Sequence, residues 1–181
     1  MALENCLQEL ILRIYHMDLS KLSRLAVVAA MVFGWIYRKR CGRSWFRICV
    51  ALGLAGWVGV VLWMTVLSRE SGSVAQYSWI PLNTYWRVLC GESGEYLRSA
   101  YMNVLLFFPG GLLLAALMPE KWSFRRGMCC AIAGLMLLSL PIELIQYFRQ
   151  LGTAELDDVL HNTLGAALGY AAFHLDFDDE T

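Results

Sequence analysis

Glu143, Gln146 and Arg149 recur at three-residue intervals along one apolar stretch, and Asp157, Asp158 and Asn162 head the next. Residues three or four apart share a helix face, so the first set forms one polar edge and Asp158 with Asn162 another. A carboxylate inside a membrane-length segment is costly unless it lines a cavity or finds a partner, which makes Glu143 a functional-site candidate by default. Buried, it could serve as general acid or base, with Asp157 or Asp158 as its counterpart and Arg149 holding an anionic group. Asn103, at the start of the preceding apolar stretch, and Arg69, just past the end of the one before, complete the candidate ligand-binding set with Gln146, Arg149 and Asn162. A non-catalytic arrangement uses the same residues. Glu143 would then pair with Arg149 or Asn162 to brace the helices, leaving the outer face to hold a lipid, a drug or a partner protein. The spacing has no decisive catalytic signature, which favours the binder or scaffold.

The elements that must position these residues are apolar helices. Of 181 residues, 58% are hydrophobic and 17% charged, and the mean hydropathy is +0.50, more apolar than an ordinary soluble domain. Segments 48–67, 102–118 and 127–148 are each long enough, or nearly so, to cross about 30 Å of hydrocarbon as a helix. A shorter run at 25–37 and a Gly- and Ala-rich one at 159–175 bring the expected count to about five spans. The fold class expected is therefore all-α, a polytopic transmembrane helical bundle. Leu3, Leu7, Leu10, Ile11 and Ile14 at helical spacing predict an amphipathic interfacial helix before it. The expected divisions are an amphipathic segment 1–21, two N-terminal spans over 22–66, a membrane domain over 67–175 and an acidic tail 176–181.

Backbone signals fall near the polar residues. Pro141 precedes Glu143 closely and predicts a bend there, while Pro109-Gly110-Gly111 predicts a break in the third span. Gly165 and Gly169 form a small-residue face suited to close helix approach.

Lys+Arg and Asp+Glu balance at 15 each, which gives no electrostatic case for a nucleic-acid partner. The positive charges cluster in loops instead. Arg38, Lys39, Arg40, Arg43 and Arg47 crowd one connection, and Lys121, Arg125 and Arg126 another, so both are expected in the cytoplasm. Glu143, Asp157, Asp158 and their neighbours then belong to the outer ends of their helices. His16, His161 and His174 are scattered and there is no CxxC pair, so neither a metal nor a cofactor is expected. For His161 the expected contact is a capping bond to Asp157 or Asp158. Most Trp and Tyr residues read as interfacial anchors, whereas Trp79, Tyr85 and Trp86 sit where they could form a lid over the pocket.

These residues also carry a resemblance. Asn103 with Phe107-Phe108-Pro109-Gly110-Gly111, Glu143-Leu144-Ile145-Gln146 with Arg149, and Asp157-Asp158-Val159 with Asn162-Thr163-Leu164-Gly165 and Gly169 occur in the order found in the VanZ-like family of bacterial membrane proteins. Arg69 and Ile80-Pro81-Leu82-Asn83-Thr84-Tyr85 resemble the segment before that family's third helix. The resemblance, spanning about 67–173, implies a multi-pass protein of the bacterial cytoplasmic membrane. It further implies a role in the cell envelope, the founding member being linked to resistance to the glycopeptide teicoplanin. The partners it implies are membrane lipids and a lipid-linked or glycopeptide ligand. No reaction comes with the resemblance. A membrane enzyme acting on a lipid-linked substrate by carboxylate acid/base chemistry stands as the alternative to the binder.

Overall fold

A computed structural model describes residues 43–70, 76–91 and 95–177. The expected amphipathic segment 1–21, the first short span and the acidic residues from 178 onward lie outside them. Five helices and one short ribbon make up the described chain. Helix α1 is Arg43–Leu62, extended by a π turn over Trp63–Leu67; α2 is Asn83–Leu89, α3 Glu95–Leu117, α4 Phe124–Phe148 and α5 Leu156–Phe177. Strands β1, Gln76–Ser78, and β2, Thr153–Glu155, pair in parallel with Tyr77 opposite Ala154. The fold is all-α apart from this ribbon.

Three helices among the described residues have the length and apolarity to cross a membrane: Ser44–Leu67, Tyr96–Leu117 and Phe124–Arg149. They match the second, third and fourth expected spans, with the third starting several residues earlier than the apolar run alone indicates. The fifth expected segment is indeed helical, as α5, but is not among these three. Of the five expected spans, three are thus found among the described residues, the last is a further long helix, and the first lies outside them.

Helix α5 lies against α3 with backbone touching backbone. A Cβ built at Gly165 would collide with the Val104 carbonyl, one at Gly169 with that of Phe108, and one at Gly111 with that of Ala166. Small residues on both sides therefore permit an approach that dispersion alone then holds. Around this contact Val61, Phe107, Leu135, Ile142, Leu151 and Ala166 form the apolar core. Phe107 and Trp57 meet edge to face at 5.6 Å between ring centroids.

The break expected at Pro109 does not occur, since α3 runs unbroken through it. Proline has no N–H, so it removes the bond to the carbonyl four residues back and loosens the turn around it. The loosened turn has a partner from outside the helix. Trp57 Nε1 donates to the Leu106 carbonyl at 2.9 Å, and the indole occupies the space left by the missing side chain of Gly110. Pro141 likewise sits inside α4 without ending it.

Candidate functional site

Polar side chains gather at one end of the bundle, where α1 finishes, α3 begins, α4 finishes and α5 begins. The π turn at the end of α1 leaves a carbonyl available, and Gln146 Nε2 donates to it at Thr65 over 2.9 Å. Such turns inside helices recur at functional sites. One turn earlier on α4, Glu143 is buried and its Oε2 accepts from the Glu155 N–H at 3.1 Å. Ser139, one further turn down, accepts from Asn162 Nδ2 at 2.8 Å and ties α4 to α5. These bonds satisfy groups that would otherwise be stranded in an apolar interior.

Asp157 and Asp158 are adjacent in sequence but differ in task. Asp157 is almost wholly enclosed, at 1% exposure, and both oxygens are taken: Oδ1 by the Leu82 N–H at 2.6 Å, Oδ2 by the Thr84 N–H at 2.7 Å. Charged acceptors make such bonds short and strong. They hold the start of α2, including Leu82, whose φ of 62° lies in the left-handed region that a branched side chain rarely adopts. Asp157 therefore anchors the segment above the site. Asp158 instead faces a cleft of about 320 Å³, lined also by Arg69, Thr84, Tyr96, Ser99, Thr153 and Glu155.

The cleft brings opposite charges together. Glu143 and Asp158 are within electrostatic reach of each other and of Arg69, whose guanidinium lies beside Gly152 in the turn before β2. Glu155, on β2, has its carboxyl pushed above the usual range by burial, and Arg87 of α2 opposes that shift. Arg87 also stacks on the Tyr96 ring, 4.1 Å from its centroid.

Asn103 reaches toward Asp158 but makes no well-formed bond, so its buried Nδ2 is without a protein partner. Asn162 Oδ1 and His161 Nδ1 are buried and unpartnered in the same way. The other nitrogen of His161, Nε2, lies 3.0 Å from the Tyr85 hydroxyl. Its bond is thus to α2 and not to the aspartates of its own helix, contrary to the capping contact expected.

Of the residues singled out by sequence, Arg69 and Asp158 line the cleft, while Glu143 and Asn103 lie within reach of Asp158 but do not line it. Gln146 and Asn162 pack beside it as helix ties, and Asp157 holds its roof. Arg149 sits exposed at the C-terminal cap of α4, so the cation acting on Glu143 is Arg69. Sequence reasoning missed Glu155, Thr84, Tyr96, Ser99 and Thr153. No single spacing connects them, because the pairing of β1 with β2 places Thr153 and Glu155, the docking of α2 places Thr84, and the first turns of α3 supply Tyr96 and Ser99. Among the described residues no group of His, Cys, Asp and Glu is arranged to hold a metal ion.

Apolar helices of spanning length with a charged cleft at one end of the bundle define a helical membrane protein with a polar terminal site. The chain belongs to the VanZ/LLP1 family, whose model matches residues 50–176. Among curated proteins it is similar to Protein VanZ of Enterococcus faecium, with 29% identity over 124 residues that cover 67% of this chain and 71% of that one. No solved structure matches. The matched region contains every described residue of the cleft.

Proposed function

We propose that this protein is a binder of the bacterial cytoplasmic membrane that holds the polar part of an envelope component, lipid-linked or glycopeptide, in the cleft between Arg69 and Asp158. The observation that carries this reading is the composition of the cleft: one guanidinium, two carboxylates and several hydroxyls at the end of otherwise apolar helices. Such a lining suits a ligand rich in hydroxyl and charged groups better than an apolar one. The buried Asn103 amide beside Asp158, without a protein partner, supports it, since such a group in a native fold calls for a ligand or ordered water. The basic clusters at the opposite end support placing the cleft on the outer face. Family membership supports an envelope role, and a link to teicoplanin tolerance belongs to this proposal.

Cells producing Arg69→Gln or Glu143→Gln should accumulate the protein normally and yet lose teicoplanin tolerance down to the level of cells without it. Unchanged tolerance in both variants, at normal accumulation, would remove the cleft from the function. One observation favours the second reading, an enzyme with Glu143 and Asp158 as acid and base: the two carboxylates are neighbours in unequal settings, one enclosed and one facing the cleft. Lipid and muropeptide profiles decide between them. An enzyme must change a product that Glu143→Gln restores, whereas a binder leaves the profiles alone.

A further inference from the structure

Helix α2 is built with its faces reversed relative to a helix packed on a water-soluble core. Thr84 is buried and Arg87 half-buried against the bundle, where they border the cleft or act on its Glu155. Leu82, just before the helix, and Trp86 and Leu89 on its other side are 60%, 68% and 81% exposed. The hydrophobic stripe of a surface helix ordinarily turns inward and its charges outward. Here the polar face turns toward a polar cleft and the apolar face turns away from the protein.

The surroundings of that apolar face are themselves apolar. Tyr77 and Trp79 lie exposed just before it, and the Tyr77 ring contacts Tyr147 at the end of α4, where Phe148 is also exposed. The stripe therefore continues the exterior of a helix that has the length and apolarity to span a membrane. Trp and Tyr collect where hydrocarbon gives way to headgroups, because one part of the ring system is apolar and another can donate a hydrogen bond. A surface of this composition, continuous with a lipid-facing one, fits lipid.

From this we infer that the outer face of α2 lies in the lipid of the membrane interface, so that the helix is an interfacial lid, with bilayer on one side and the cleft on the other. The inference goes beyond the proposed binding function and does not depend on it. Its consequence is that a ligand with acyl chains can reach the cleft sideways, past α2, while its chains remain in the leaflet. Asp157 and His161 fix the lid from beneath, through the Leu82 and Thr84 N–H groups and the Tyr85 hydroxyl.

The test is the depth of Trp86. The full chain, with its other tryptophans replaced by Phe, is reconstituted into phosphatidylcholine vesicles with or without bromine on the acyl chains, and emission is compared with a matching chain that keeps only Trp63. Trp63 is exposed on the α1 span and serves as the lipid-facing reference. The result expected is that brominated chains remove about the same fraction of emission from Trp86 as from Trp63, with little quenching by aqueous acrylamide. If the multiple replacement does not fold, the difference between the natural chain and Trp86→Phe supplies the same measurement. Strong acrylamide quenching without bromolipid quenching places α2 in water, and protection from both places it under another protein chain or a second copy. Either outcome overturns the inference, and the tolerance of the Arg69 and Glu143 variants is read independently of both.

Discussion

Two adjacent aspartates show how little a residue's type says about its task. Asp157 and Asp158 are equivalent in sequence, and either can be cast as the partner of Glu143, but one is saturated by backbone N–H groups and the other faces the cleft. Asp157→Asn presents an amide nitrogen to an N–H that needs an acceptor. Losing one charge-assisted bond in a buried place costs about 2 kcal/mol. We expect a clearly lower melting temperature in detergent for Asp157→Asn and little change for Asp158→Asn; equal melting of the two would show that the anchor is unimportant. The prominence of Glu143 was legible in the sequence, since an acid in a long apolar run demands explanation. Its partner was not, because the Glu155 N–H is a backbone group and carries no sequence signal.

Helix contacts were more legible than helix ends. The spacing of Gly165 and Gly169 marks a close-packing face, and α3 is the neighbour that fills it. Gly169→Ala drives a methyl into the Phe108 carbonyl, which only a shift of two helices can relieve, and overpacking of this kind costs about 1–3 kcal/mol. Gly134→Ala makes a useful contrast. Its Cβ would come no nearer than 4.0 Å to Leu114, so the better helix propensity of alanine should leave stability equal or improved. Thermal unfolding of both variants checks the difference, and a tolerated Gly169→Ala would mean that α3 and α5 can separate freely. The π turn and the unbroken α3 had no local signal. Each carries a contact from another helix, Gln146 to the Thr65 carbonyl in the first and Trp57 to the Leu106 carbonyl in the second, and such contacts leave no mark in the local sequence. Likewise β1 and α2 fall in a stretch that sequence alone presents as one long loop, because their pairing partner lies beyond two further helices.

On the scale of the molecule, the polar cleft and the basic cluster between α3 and α4 occupy opposite ends of the bundle. Lys121, Arg125 and Arg126 lie at the connection of α3 to α4, while Arg149 marks the end where the cleft opens. The positive-inside rule predicts that the first end is cytoplasmic. Single cysteines introduced as Lys121→Cys and Arg149→Cys in a cysteine-free chain should react with an impermeant thiol reagent in intact cells only at Arg149→Cys. Labelling at Lys121→Cys alone would invert the protein and turn the cleft toward the cytoplasm. The parallel ribbon adds a constraint of timing. Parallel neighbours need a long crossover, and here the crossover consists of α2, α3 and α4. During synthesis β1 emerges well before β2, and the anchor Asp157 follows β2, so the segment carrying β1 and α2 must wait unpaired until α4 has been inserted. A nascent chain stopped before Thr153 would have its spanning helices and no roof over the cleft. In the proposed binder, ligand competence would therefore arise only once β2 and Asp157 have emerged, after α4 has entered the membrane, and a chain lacking them would occupy the bilayer without a finished cleft.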